Sequence, residues 1–206
     1  MDDEITFWSE TKKGGKVVER FAPNATAINL SDRRIGSTDL SPLDQFPNLE
    51  VLILSGNELQ NIDLSPLSNC PNLLELSLGS NEMEAIDLSP LRDCKSLMHL
   101  DISFNRLKEI SLLPLASCTE LKALHLYQNK LTSIDLAPMK KCKKLRNITL
   151  EKNDFVQVDI SALFSCPRLM KIGFDDATTL KAAIKNKEIT KLPIGFKPIR
   201  PRIEWT

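Results

Sequence analysis

Leu49-Glu50-Val51-Leu52-Ile53-Leu54-Ser55-Gly56-Asn57-Glu58-Leu59 and Leu97-Met98-His99-Leu100-Asp101-Ile102-Ser103-Phe104-Asn105-Arg106-Leu107 are two copies of one pattern, LxxLxLxxNxL. The asparagine recurs at 57, 81, 105, 129 and 153, every 24 residues, with apolar residues at fixed offsets around it. A period of this kind over most of a chain predicts a solenoid, because one unit cannot bury its apolar face alone and must stack on its neighbours. Repeats begin at Leu49, Leu73, Leu97, Leu121 and Leu145, with looser copies from Ala25 and Leu169, so seven coils are expected.

Within each coil the first, fourth, sixth and eleventh positions are apolar, as Leu73, Leu76, Leu78 and Met83 show. The LxL alternation is that of a half-buried strand, and stacking such strands about 4.8 Å apart makes a parallel sheet. The second half of the repeat reads Ile62-Asp63-Leu64-Ser65-Pro66-Leu67, Ile86-Asp87-Leu88-Ser89-Pro90-Leu91 and Ile134-Asp135-Leu136-Ala137-Pro138-Met139. Ser followed by Pro reads as an N-cap and first helical position, and Leu67, Cys70 and Leu73 at intervals of three suit a short helix or 3₁₀ turn.

Residues 25–174, with this motif, resemble the leucine-rich-repeat family, most closely its intracellular type. The resemblance implies an α/β fold, a leucine-rich-repeat solenoid shaped as a horseshoe arc. A parallel sheet would line its concave side, with short helices or 3₁₀ turns on the convex side. It also implies a non-catalytic protein–protein interaction scaffold that binds its partner through the concave face. The 24-residue period and the IDLSPL segment depart from the 22-residue phosphatase-regulator form, so no particular partner is carried over.

Three columns of the repeat have structural explanations. The asparagine amide offers donors and an acceptor to the backbone where the strand ends. Arg33 and Ala177 replace it in the terminal coils, as befits caps. Cys70, Cys94, Cys118, Cys142 and Cys166 share a slot with Phe46, which marks an apolar position filled by reduced thiols. The stacking distance alone also permits disulfides, whereas a linear column does not suit tetrahedral zinc. Asp39, Asp63, Asp87, Asp135 and Asp159 form a third column, interrupted by Ser111. Capping of the following turn accounts for it better than calcium, which needs more oxygen ligands and a glycine-rich turn.

The flanks lack the period. Residues 1–24 are expected to be an N-terminal cap, with Ile5-Thr6-Phe7-Trp8 and Val17-Val18-Glu19-Arg20-Phe21 forming a hairpin around Gly14-Gly15. Residues 175–206 are expected to be a C-terminal cap helix, its apolar face Ala177, Leu180, Ala183 and Ile184, followed by an extended Pro-rich basic tail. Trp205 in that tail either packs back on the solenoid or serves as an anchor for a partner.

The open strand positions are the candidate partner-binding set: Ile53, Glu75, Ser77, His99, Asp101, Phe104, His125, Tyr127 and Thr149. Both histidines of the chain fall here, with Asp101 between them, and aromatic residues mixed with charge are typical of binding hot spots. A metal or acid/base role for the His99, Asp101 and His125 cluster is the alternative; no nucleophile with an orienting partner and no phosphate loop accompanies it. The carboxylate beside His125 is expected to favour the imidazolium. No catalytic residue, cofactor or small-molecule substrate is expected.

Charge is balanced overall but divided: residues 1–100 hold 8 Lys+Arg against 16 Asp+Glu, and residues 101–206 hold 19 against 11. In a solenoid that division becomes an end-to-end dipole. The run Lys140-Lys141-Cys142-Lys143-Lys144-Leu145-Arg146 supplies an alternative function, binding of nucleic acid or an anionic membrane through the basic C-terminal half. The acidic Met1-Asp2-Asp3-Glu4 start, with no apolar stretch behind it, and the reduced thiols point to a soluble cytoplasmic monomer whose partner is another protein.

Overall fold

The computed structural model describes residues 4–183, 187, 189 and 192–206. The expectations placed on Met1 to Asp3 and on Ile184, and part of the expected basic tail, lie outside these residues.

A parallel sheet of seven three-residue strands runs through the molecule: β3 (Ala27–Asn29), β5 (Val51–Ile53), β6 (Glu75–Ser77), β7 (His99–Asp101), β8 (Ala123–His125), β9 (Asn147–Thr149) and β11 (Lys171–Gly173). Register is set by the period, since each residue pairs with its equivalent 24 positions on, as in Glu75 with His99 and Asp101 with His125. The middle residue of every strand, from Ile28 to Ile172, points into the core. A one-residue slip would turn that column outward, which is why the register is unambiguous.

Behind the sheet each coil returns through a 3₁₀ turn, among them Ser65–Asn69, Ser89–Arg92 and Ala137–Lys141. The serine is the first residue of the turn and not its cap; a leucine occupies the cap position and offers no side-chain bond. The acceptor is the aspartate one residue earlier. Asp63 Oδ1 and Asp87 Oδ1 each accept the serine N–H at 2.8 Å, and Asp135 accepts that of Ala137 at 2.8 Å. Ser111 makes the same contact at 3.4 Å, so the broken column keeps its turn with a weaker bond. The Ser65 and Ser89 hydroxyls, which also donate to these carboxylates, and then the N–H bonds hold the Asp63 and Asp87 carboxyls below their ordinary pKa.

The asparagines stitch neighbouring coils together. Asn81 Oδ1 accepts the Leu59 N–H at 3.1 Å, while Nδ2 donates to the Leu54 and Leu78 carbonyls at 3.0 Å each. At the C-terminal end the equivalent task falls to Asp175, whose carboxylate accepts the Lys152 and Asn153 N–H groups.

All five cysteines are buried and unpaired. The Cys94 thiol donates to the Leu67 carbonyl at 3.2 Å, Cys118 to Leu91 at 3.2 Å and Cys166 to Met139 at 3.2 Å. A thiol thus adds a second hydrogen bond to a carbonyl that already accepts a cysteine N–H at the end of its own 3₁₀ turn, which the apolar reading of the slot does not include. Burial pushes the Cys94 and Cys142 thiols up to about 12.

Strands β1 (Ile5–Thr11) and β2 (Lys16–Phe21) form an antiparallel hairpin, turned at Gly14 with φ of 79°. The hairpin joins β4 (Ile35–Thr38) and not the exposed edge of β3. Phe7 anchors it against Phe21 and Phe46 with ring centroids 5.7 and 5.9 Å away. Arg33, in the asparagine slot of the first coil, pairs with Glu19 of the hairpin.

The C-terminal cap differs from the expected helix. Thr179–Ala182 is a strand, β12, paired in parallel with β10 (Gln157–Asp159) and with β13 (Ile203–Trp205). Thr178, Leu180 and Ala182 are buried and Ala177 is exposed, a period of two in place of the helical spacing. Unpaired strand edges at the last coil favour extension of a sheet over a helix here. The tail is correspondingly not extended throughout: it forms 3₁₀ turns at Ile194–Phe196 and Arg200–Arg202 before β13. Trp205 packs back, 5.8 Å from Phe164, but the buried anchor is Phe196, stacked on Phe164 at 4.3 Å.

Candidate functional site

With leucine, asparagine and cysteine side chains committed to the interior, the first and third residues of each strand form the open face of the sheet, the concave side of the expected arc. The register aligns Glu75, His99, Ala123 and Asn147 in one row and Ser77, Asp101, His125 and Thr149 in the next. Ile53 lies one strand further toward the N-terminal end of the second row. His99 is exposed, Ile53, Glu75, Ser77, Asp101, His125 and Tyr127 are partly buried, and Thr149 is buried at 7% exposure. Thr149 therefore supports the face from beneath: its Oγ1 lies 2.9 Å from His125 Nδ1, a hydrogen-bond distance.

The pairing of Asp101 with His125 is one of position and not an ion bridge. Asp101 Oδ1 accepts the Ser103 N–H at 2.8 Å, and the carboxylate also rests against Gly79. Burial lowers the His125 pKa below its ordinary value; Asp101 and Glu151 oppose that shift without reversing it. Asp101 does favour the imidazolium, as expected, but it does not decide the charge, because the net shift is downward. Desolvation outweighs a carboxylate that is already satisfied by backbone. Among the described residues no group of three or more His, Cys, Asp or Glu side chains could hold a metal ion.

Phe104 and Tyr127 stand where the strands end and the chain turns, their ring centroids 5.2 Å apart and tilted by 57°. Two residues outside the expected set join them. Lys152 places its ammonium 5.1 Å from the Tyr127 ring centroid, and contact with Tyr127 raises the Lys152 pKa. Glu151 lies over Gly173, where a side chain would collide with its carboxylate; its Oε2 is buried with no hydrogen-bond partner among the described residues. These contacts run between neighbouring coils, so neither residue follows from its own repeat position.

Cavities of about 440 Å³ beside Trp8 and Thr38 and of about 600 Å³ beside Ile110 and Leu113 lie away from this face. The basic run is partly engaged: Lys143 donates to the Ser165 carbonyl at 2.9 Å, and Lys144 pairs with Glu120. No helix among the described residues is long and apolar enough to cross a membrane.

A family model described as leucine rich repeat matches residues 47–107 and 95–155. Among solved structures the chain is similar to an internalin of Listeria monocytogenes, at 26% identity over 74% of this chain and 46% of that one, with a TM-score of 0.57. A leucine-rich-repeat protein of Leptospira interrogans aligns at 25% identity over 68% of this chain and 34% of its own, with a TM-score of 0.60. The plant peptide hormone receptor RGFR1, solved in complex with RGF2, aligns at 26% identity over 70% of this chain and 23% of its own, with a TM-score of 0.60. The chain spans less than half the length of each of the three. No curated protein sequence matches it.

Proposed function

We propose that this chain, which belongs to the leucine-rich-repeat family, is a non-catalytic scaffold that binds a protein or peptide partner through the open face of its seven-stranded sheet. The observation that carries this reading is the sorting of side chains by the repeat. Every middle strand residue is buried, while the flanking positions leave Ile53, Glu75, Ser77, His99, Asp101 and His125 at least partly open, with Phe104 and Tyr127 at the strand ends. Such a surface is broad and solvated; it offers contact area and hydrogen bonds but no water-excluding pocket for chemistry. The hydroxyl beside His125, Thr149 Oγ1 at 2.9 Å, belongs to a buried residue and is not presented to a ligand on this face. The family is typically one of non-enzymatic scaffolds, and the similar receptor RGFR1 is solved with RGF2 bound. The five unpaired thiols favour a reducing, cytoplasmic setting.

Affinity capture from native cells tests the reading, with the wild-type chain, Asp101→Arg and a variant carrying Glu at 140, 141, 143 and 144 as baits. Proteins held by the wild type should be lost from Asp101→Arg and kept by the charge-reversed run, with all three baits sharing the same circular dichroism. Equal capture by wild type and Asp101→Arg removes the open face as the binding surface.

A further inference from the structure

The coil that begins at Leu97 departs from its neighbours twice within three residues. Where the other coils carry Asp39, Asp63, Asp87, Asp135 and Asp159 it has Ser111, and where they carry Ser41, Ser65, Ser89, Ala137 and Ser161 it has Leu113. One change removes a charge, and the other puts a large apolar side chain at a position that is otherwise small. Neither strengthens the turn. Ser111 accepts the Leu113 N–H at 3.4 Å where Asp87 and Asp135 accept theirs at 2.8 Å, and Leu113, the first residue of its 3₁₀ turn, is 63% exposed.

The groove of about 600 Å³ takes its lining from this coil and the two that flank it. Ile86, Ile110 and Ile134, each partly buried against the core, and Leu113 give it apolar walls. One coil further on, the dip lined by Asp135, Ala137, Asp159 and Ser161 holds about 90 Å³. A lone exposed leucine is ordinary on a surface, but a leucine beside three half-buried isoleucines in a groove makes a contiguous apolar patch.

The rim of the groove is acidic. Asp87, Glu109 and Asp135 line it, all three are exposed, and none is in an ion pair among the described residues. No lysine or arginine among the described residues lines it. Lys108, next to Glu109 in the chain, is held by Glu84 at 2.7 Å, and Lys140 lines the smaller dip with Asp135 and Asp159. The hydroxyl and N–H bonds that Asp87 accepts from Ser89 favour its charged form, and they leave that charge in place. An apolar groove with a rim of one sign complements an apolar side chain flanked by charges of the other.

We propose that this groove is a second docking surface, for a basic segment of a protein partner: one apolar side chain of the segment lies on Leu113 and Ile110, and lysine or arginine beside it meets Asp87, Glu109 and Asp135. The surface lies away from the open face of the sheet and does not depend on it. Long basic side chains suit such a rim, because their methylene stems extend the apolar contact while the charged ends reach the carboxylates.

The test uses the full chain and immobilised peptides of roughly ten residues, long enough to span three coils at about 3.3 Å per residue. Three sets place a leucine between Lys/Arg, Asp/Glu or Ser/Gln residues, and a fourth repeats the basic set with serine for the leucine. The basic set with leucine should be retained about tenfold better than each of the others. Leu113→Ser restores the residue of the two preceding coils at an exposed position, and Glu109→Lys reverses a rim charge; each should lower that retention about fivefold or more. Asp101→Arg should leave it unchanged. Retention of no set, equal retention of the basic and neutral sets, equal retention with and without the leucine, or undiminished retention by Leu113→Ser would each overturn the proposal. Loss in Asp101→Arg but not in Leu113→Ser would put the peptide on the open face and remove the groove as its site. Self-association of the wild type that Leu113→Ser abolishes would give the groove to a second copy of the chain and equally overturn the proposal.

Discussion

Asn105 Oδ1 accepts the backbone N–H of Met83, 3.1 Å away in the preceding coil, while its Nδ2 donates to the carbonyls of Leu78 and Ile102 at 3.1 and 3.2 Å. One side chain thereby satisfies groups on two coils, and the asparagine column acts as a splice along the solenoid as well as a fold within each turn.

Replacing Asn105 with Ala strands the buried Met83 N–H, while the Leu78 and Ile102 carbonyls keep the donors from Asn81 and Asn129, and should lower the unfolding free energy by about 1–3 kcal/mol. Asn153, which is only partly buried, should cost less when replaced in the same way. Urea unfolding of the two variants checks the order; a larger loss at Asn153 would contradict the two-coil role of the buried amide.

The lowered His125 pKa makes stability depend on pH in a definite direction. The unfolded imidazole titrates near its ordinary value of about 6.5 and the folded one below it, so the unfolded chain binds more protons between the two. Stability from neutral His125 is complete above about pH 6.5 and is lost as pH falls through the folded value. His125→Gln should flatten this part of the profile between pH 5 and 7.5. In NMR titration the His125 midpoint should lie below 6.5, and lower still in Asp101→Asn, since Asp101 raises it. A midpoint above 6.5 would show that charge, not burial, governs the site.

Burial holds the five thiols at about 11 to 12, which leaves almost no thiolate at pH 8. The folded protein should react with Ellman's reagent only as fast as it unfolds, and all five should react at once in denaturant. Rapid labelling of any one in native buffer would remove that cysteine from the core.

Phe196 is fully buried against Phe164, whereas Trp205 is only partly so. Phe196→Ala should cost about 3–5 kcal/mol and Trp205→Ala roughly half as much. Equal losses, or a tail that can be removed without lowering the unfolding midpoint, would mean that the tail does not close the last coil.

The asparagine and leucine offsets in the sequence determine the coil, the strand register and the inward faces, because a solenoid repeats local contacts in chain order. The same logic makes the candidate face readable: positions that vary between fixed apolar ones must point outward. It fails where the period stops. At residues 177–183 an apolar spacing compatible with a helix became a strand, since Leu180 and Ala182 met the unpaired edges of β10 and β13, far away in sequence. It fails also for contacts between coils. The sequence places Asp101 beside His125 but not the Ser103 N–H that occupies Asp101, nor the burial that decides the His125 charge. Nor does it reveal that Phe104 sits in a left-handed turn with Lys152 beyond its neighbour's ring. Periodicity fixes what each coil does for itself, while desolvation and cross-coil geometry depend on what the next coil brings, and only the folded molecule supplies that.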